Sequence, residues 1–317
     1  MEIDRQTPNV LESSNERDFM TWNINQRSGL RDKIPEFVID IIKNSKVAII
    51  TEFRRPQNTI DTFEQKLNTH WLCFSPAANN RNEIMIAVKK EFSKSRPLIE
   101  DNSNVAQGGE LPNLLQICMT INNKPIRIIG VRIRISDGSV DDFSKRKLQL
   151  DNLMCIIREV GSKRLIVAGD FNNAGILGCE DESYHDVKKE YIKWYNDKKQ
   201  EESERPRLVY NYHILKDCLQ TVGLKLYTPK GEQYSWGFKF NNDTKEWDNG
   251  YIKNDHFAVS DDLTLEDMKY CKAFMIPNNG YDEKNVSTVI KNGFTTTEIS
   301  PPLPDHAILM GKLTINK

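Results

Sequence analysis

Short apolar runs, each stopped by a polar or glycine-bearing break, recur along this chain with two different periods. Val47-Ala48-Ile49-Ile50 and Leu165-Ile166-Val167-Ala168 are continuous and rich in β-branched residues, the pattern of strands buried on both faces. Further strands are expected at Met20–Asn25, His70–Phe74, Glu83–Lys89, Leu114–Ile121, Pro125–Ile135, Tyr234–Phe238, Tyr251–Val259 and Ala307–Ile315. Ile34, Phe37, Val38, Ile41 and Ile42 recur instead with helical period, as do Leu150, Leu153, Met154 and Ile157 in a helix predicted over Asp142–Val160. Another helix is expected over Val209–Val222. From Asp181 to Arg207 the chain is charged apart from Tyr191, Ile192, Trp194 and Tyr195, which predicts an exposed helical insertion with one aromatic face. Strands and helices alternate irregularly, with pairs of strands that suit antiparallel pairing. That order predicts a mixed-sheet α/β sandwich and not a βαβ dinucleotide-binding repeat. The glycine-rich dinucleotide motif, the P-loop and the nucleophile elbow do not occur.

A chain of 317 residues has room for a single large domain, here taken as residues 1–317 with the charged insertion around 181–207. The formal net charge is −1, so no global basic field advertises a nucleic acid partner; a local basic rim around a cleft would still serve one. The first 19 residues, polar and charged, form neither a secretion signal nor a membrane span. Cys73, Cys118, Cys155, Cys179, Cys218 and Cys271 are scattered without metal-binding spacing, which suits free thiols in a reducing cytoplasm. No membrane insertion is expected.

The polar residues of most interest sit where strands are expected to end, since such a side chain is fixed by the sheet yet open to solvent. They are Trp22-Asn23-Ile24-Asn25, Thr51-Glu52, Gly169-Asp170-Phe171-Asn172, and the pairs Asp255-His256 and Asp305-His306. Singly, each has an ordinary explanation as a turn or surface residue. Together, in this order, they resemble the endonuclease/exonuclease/phosphatase superfamily, which includes pancreatic-type deoxyribonucleases, abasic-site endonucleases, sphingomyelinases and inositol-polyphosphate phosphatases. The family order is a W-N pair, a strand-ending Glu, G-D-F-N, an Asp opening a strand such as Asp255-His256-Phe257-Ala258-Val259-Ser260, and a closing D-H. The resemblance covers roughly residues 18–315 and implies a four-layer α/β/β/α sandwich with two mixed, mainly antiparallel sheets.

It also implies a phosphodiesterase dependent on Mg²⁺ or Mn²⁺. Glu52 is the expected metal ligand, with Asn23 and Asp305 beside it; a hard cation there offsets the charge that builds on the phosphate. Asp170 would orient or deprotonate the attacking water, with Asn172 donating to the phosphate. His306 would donate to a non-bridging oxygen, held by Asp255, while His256 points to the other face as a structural residue. Where the family places a His or Tyr, this chain has Arg132, whose fork can clamp a phosphate but cannot act as an acid near neutral pH. Asn25 stands where a second metal-binding carboxylate is sometimes found, and Pro304 replaces the serine before the last D-H. Expected substrate contacts are Arg54, Arg55, Arg81, Asn173 and Trp236, the last serving as a packing residue or as a stacking platform. The first expectation is an intracellular nuclease, for DNA more than RNA. The alternatives are a phosphatase or phosphodiesterase for a small molecule or lipid headgroup, and a catalytically weak binding module. The 181–207 segment could serve a protein partner, and oligomeric state is left open.

Overall fold

Two six-stranded sheets lie face to face, and the side-chain alternation along their strands decides every layer. The computed structural model describes residues 17–25, 36–55, 59–75, 83–101, 110–121, 123–135, 140–176, 179, 181–197, 205–231, 233–237, 239–241, 246–248, 252–272, 286–291, 294–299 and 304–316. The elements run β1 Arg17–Asn23, α1 Glu36–Lys43, β2 Ser45–Phe53, α2 Ile60–Lys66, β3 His70–Phe74, β4 Glu83–Lys89, β5 Leu98–Glu100, β6 Asn113–Ile121 and β7 Lys124–Arg132. They continue with α3 Val140–Val160, β8 Leu165–Ile176, α4 Tyr184–Asn196, α5 Arg205–Thr221, β9 Leu224–Tyr227, β10 Lys239–Asn241, β11 Glu246–Asp248, β12 Ile252–Ser260, β13 Leu263–Cys271, β14 Val286–Lys291, β15 Phe294–Ile299 and β16 Ile308–Ile315. The first sheet is ordered β13-β16-β1-β2-β4-β3 and the second β5-β6-β7-β8-β12-β9; β10-β11 and β14-β15 form separate hairpins.

Each large sheet contains one parallel pair, β1-β2 and β7-β8, and its remaining pairs are antiparallel. Helices α1 and α3 supply the crossovers that parallel neighbours require. Val47, Ile49, Ile84, Ile86, Ile126, Ile128, Ile166, Ala168, Phe257 and Val259 form the core between the sheets. Their neighbours in sequence face outward: Ala48, Ile50, Met85 and Ala87 pack against α1 and α2, whereas Ile129, Val131, Leu165, Val167 and Ala258 pack against α3 and α5. The four layers α/β/β/α follow from this alternation.

The strands predicted at residues 70–74 and 83–89 fall at those bounds, and the α3 helix begins two residues before its expected start. Of the strand predicted over Tyr234–Phe238, Phe238 lies outside the described residues, and in the rest Trp236 makes isolated bridges to Ile252 and His306. The charged segment contains α4, capped by the Ser183 hydroxyl accepting from the Asp186 amide, and the first turn of α5. From this aromatic face Tyr191 is turned onto α5, stacking on Tyr210 with centroids 4.4 Å apart. Helix α2 and strands β5, β9, β10, β11, β13, β14 and β15 lie outside the elements that periodicity predicts. The six cysteines are free thiols, Cys73 and Cys179 buried and the others half-buried. Among the described residues, no helix is long and apolar enough to cross a membrane.

Two positions show how tightly the second sheet constrains its sequence. Gly169 has φ +148°, and a Cβ there would lie 1.9 Å from the Val131 carbonyl oxygen on β7. Gly169→Ala should therefore cost more than about 3 kcal/mol through strain and overlap combined; a urea midpoint close to the parent's would refute this. His256 is buried between the Thr228 hydroxyl, 2.8 Å from Nδ1, and the Asn173 carbonyl, 3.4 Å from Nε2. Burial holds its imidazole down at about 3. The folded value lies below the unfolded one, so the stabilisation is complete above about pH 6.5 and is lost as pH falls toward 3. Between those limits His256→Gln should flatten the pH dependence of the unfolding free energy by about 1.4 kcal/mol per pH unit. An unchanged slope would show that His256 does not stay neutral in the folded state.

Candidate active site

The same alternation that builds the core carries polar residues to one end of the space between the sheets. Asn23 continues the inward series of Phe19 on β1; Arg132, Asp170 and Asp255 continue those of Ile128, Ala168 and Phe257. Register then aligns three of them: Arg132 is paired with Asp170 across the parallel β7-β8 ladder, and Asp255 with Asp170 across the antiparallel β8-β12 ladder. His256, one residue on, falls on the outer face.

Glu52 reaches the same space by an irregularity. Ile50 and Phe53 both face α1 and α2, a spacing of three that an unbroken strand does not allow. The β2-β4 register shifts between them, and Glu52 has φ 50°. The bulge turns its carboxylate inward, toward Arg132. Asn25 and Asn172 also have positive φ, 45° and 48°. Such backbone is tolerated by Asn and strained for Glu, with a cost of about 1–2 kcal/mol. Contrary to the strand-end expectation, Asp170 and Asp255 lie within β8 and β12, and Glu52 lies within β2. Bulges, not strand ends, present these residues.

A continuous polar network results. Asn23 Nδ2 donates to Glu52 Oε1 at 3.1 Å and to Asp170 Oδ2 at 2.9 Å. Asn172 donates twice to Asp170, through its backbone NH at 3.0 Å and its Nδ2 at 2.9 Å. Arg132 Nη2 lies 2.6 Å from Glu52 Oε1, and its Nε lies 3.9 Å from Asp170 Oδ2. Burial, with Asp255 and Glu52 adding and His306 and Arg132 opposing, pushes the Asp170 carboxyl up to about 7. His306 Nδ1 donates to Asp255 Oδ2 at 2.8 Å. Burial acts to lower the His306 imidazole, but Asp255 above all, with Asp170 and Asp305, carries it up to about 10. A carboxylate that can take a proton near neutrality thus faces an imidazolium that can give one.

Several holders of this constellation escaped the sequence reading. The Ser235 hydroxyl accepts from the Asn254 and Asp255 amides, and Tyr270 on β13 donates its hydroxyl to the Asp255 carbonyl at 2.6 Å. Trp22 donates its indole NH to the His306 carbonyl at 3.0 Å. Asp305 accepts from Asn25 Nδ2 at 3.0 Å and from Trp236 Nε1 at 3.2 Å, so Trp236 is attached to the site through its NH. Ser235 was visible only as the neighbour of Trp236, and Tyr270 carries no local signal for such a role. Trp22 was visible only as the neighbour of Asn23.

Among the expected substrate contacts, Arg54 is half-buried just beyond β2. Arg55 is engaged elsewhere, with Glu83 at 3.3 Å, the Ser75 carbonyl, and the Phe74 ring 4.3 Å from its Cζ. Asn173 is buried, its Nδ2 donating to the Asn211 carbonyl on α5, so its side chain is turned away from a cleft mouth. Arg81, with Asn79, Asn80 and Asn82, lies outside the described residues. Arg134 is half-exposed and paired with Glu110 at 2.6 Å, and Pro304 is buried before Asp305.

Among the described residues no three His, Cys, Asp or Glu side chains are grouped to hold a metal by themselves. Glu52 and Asp305 carry hard oxygen donors of the kind Mg²⁺ prefers, and that ion keeps several waters and needs only one or two carboxylates beside substrate phosphate. Asn23 behaves differently from the expected ligand: between two carboxylates it must present its NH₂, and its Oδ1 accepts from the Asn25 amide at 2.8 Å.

No protein-family model and no curated protein matches the chain. Solved structures are similar to it. An AP endonuclease from Archaeoglobus fulgidus superposes with a TM-score of 0.55 over 94% of this chain and 99% of that one, at 14% identity. D. rerio TDP2 complexed with single-strand DNA product gives 0.50 over 93% and 98%, also at 14% identity. An endonuclease/exonuclease/phosphatase family protein from Bacteroides thetaiotaomicron gives 0.51 over 94% and 97%, at 10% identity. Likeness spread over nearly the full length of all three, in two face-to-face sheets flanked by helices, establishes that the chain has the fold of the endonuclease/exonuclease/phosphatase superfamily.

Proposed function

We propose that the protein is a metal-dependent phosphodiesterase that hydrolyses DNA by water attack. The observation that carries this reading is the buried network in which Asn23 and Asn172 hold Asp170, while Asp255 holds His306 across the paired strands β8 and β12. Phosphate-ester hydrolysis needs a group to align and deprotonate water and a donor for the charge that grows on the non-bridging oxygens. Asp170 supplies the first. Its carboxylate is fixed by three NH donations, so its orientation toward a water is set before substrate arrives. His306 supplies the second, its Nδ1 tied to Asp255 and its Nε2 left to donate. Arg132 adds a fixed positive charge between Glu52 and Asp170. Mg²⁺ or Mn²⁺, held by Glu52 and Asp305, would supply further positive charge against the phosphate and the leaving oxygen.

DNA as substrate is supported by the likeness to an AP endonuclease and to TDP2 solved with a DNA product; fold by itself does not choose a substrate. Six free thiols suit a reducing compartment, and we place the protein in the cytoplasm. The whole chain would act as one domain. Helix α4 presents Tyr184, Ile192 and Tyr195 to solvent for any protein partner, while Tyr191 is stacked on Tyr210 of α5.

Incubation with supercoiled plasmid, single-stranded DNA, RNA and a phosphomonoester panel, with Mg²⁺, Mn²⁺ or EDTA, tests the reading. Metal-dependent cutting of DNA is expected, with His306→Ala and Asp170→Asn each lowering kcat by about 10²–10⁴-fold, the usual contribution of a positioned acid or base. Release of phosphate from small esters with all polymers intact would overturn the nuclease assignment. Full activity in both variants would overturn the site.

A further inference from the structure

The metal-dependent reading leaves one contact unexplained, namely that the carboxylate expected to hold the cation already holds one. Arg132 Nη2 is 2.6 Å from Glu52 Oε1, and the two side chains are only 12% and 11% exposed. This is a close, nearly dry ion pair, not a loose surface contact, and such pairs are costly to open unless a replacement charge arrives. Arg132 is also incompletely satisfied. Its Nε is buried with no hydrogen-bond partner, lying 3.9 Å from Asp170 Oδ2, beyond hydrogen-bond reach. A guanidinium donates best through two parallel bonds to a planar or tetrahedral oxyanion, and here only one side of the fork is used on Glu52. Asp170, the other carboxylate beside the fork, already accepts from Asn23 and twice from Asn172, and Asn172 Nδ2 also donates to the Ile133 carbonyl.

We infer that Arg132 is an internal counter-ion that competes with the divalent cation for Glu52 and is handed over to the substrate phosphate when the cation binds. Rested on the metal-dependent reading, this makes Arg132 a latch as well as a phosphate clamp. Without cation, the guanidinium neutralises Glu52 and keeps two buried carboxylates, from different sheets, from repelling each other. With cation on Glu52, two positive charges would crowd one carboxylate, and the guanidinium moves its fork to the oxyanion. Arg132 trades one singly charged oxyanion for another, a carboxylate for a phosphodiester, while Glu52 exchanges the guanidinium for a divalent ion whose second positive charge is left to face the phosphate. A neutral His or Tyr at this position would impose no such competition.

Mn²⁺ binding to the purified full chain, followed by calorimetry and by electron paramagnetic resonance of free Mn²⁺, tests the inference without any turnover. Arg132→Gln keeps a donor for Glu52 but removes the charge, and Arg132→Ala removes both; circular dichroism confirms that each is folded. Both should bind Mn²⁺ about tenfold or more tightly than the parent, within the usual range of coupling between linked events. Without metal, both should melt below the parent, and Mn²⁺ should raise their melting temperatures by more than it raises the parent's. Glu52→Gln should lose the binding in every background. Equal or weaker Mn²⁺ affinity in the folded Arg132→Gln variant, with Glu52→Gln still abolishing binding, overturns the competition and leaves the metal reading standing. Absence of binding in parent and variants alike overturns the metal reading itself, and the latch with it.

Discussion

Glu52 and Asp170 come from different sheets, and a single amide group, Asn23 Nδ2, donates to both. Two nearly buried carboxylates this close would repel strongly in a medium of low dielectric, and removing either from water costs several kcal/mol on the order of the usual desolvation penalty. The structure depends on that cost being met at one place. Asn23 from the first sheet and Arg132 from the second do so, and they also define how the sheets sit against each other at this end. Away from it, the interface is apolar, mostly Val, Ile and Leu, which set distance but tolerate small slips. The polar knot allows fewer, since a displaced sheet would leave buried charge without a partner.

The network is held from outside by parts that have no chemistry of their own. The β2 bulge re-aims Glu52, Ser235 and Tyr270 fix the backbone of Asp255, and Trp22 and Trp236 fix His306 and Asp305. The contacts of Trp22 with His306 and of Trp236 with Asp305 join segments far apart in the chain, so the site is assembled only when both sheets are complete. Backbone in the left-handed region at Asn25, Glu52 and Asn172 belongs to the same logic. Strained conformations persist where surrounding structure over-determines them, and they recur where side chains must be aimed.

Arg132 changes the character of this arrangement. A neutral residue there would leave Glu52 and Asp170 with a net negative environment open to a cation. With arginine, positive charge is already present, and the chemistry is divided between a guanidinium that belongs to the chain and an exchangeable ion. Arg134, two residues on and on the same face by alternation, instead leaves the site and pairs with Glu110 beyond the end of β7. Gln149 on α3 exchanges two hydrogen bonds with the Arg134 backbone, at 2.8 and 3.0 Å, and so turns the chain away after Arg132.

Local pattern by itself determined most of the layers. Alternating and continuous apolar runs were sufficient for β2, β3, β4, β6, β7, β8, β12 and β16, because burial on one or both faces writes its period into neighbouring residues. The order of Asn23, Glu52, Asp170, Asn172, Asp255 and His306 marked the residues that the fold gathers, and parity alone separated His256 from Asp255. What only the tertiary structure decided is how these residues touch. The inward turn of Glu52 needs a bulge that a run of Ile-Ile-Thr-Glu-Phe does not announce. The diversion of Arg55 to Glu83 and Asn173 to α5, and the support from Ser235 and Tyr270, depend on neighbours distant in sequence. So does the contact of Arg132 with Glu52. Periodicity reports which side of a strand is buried; hydrogen bonds and ion pairs are settled by which groups lie within about 3 Å, and that is a property of the assembled sheets.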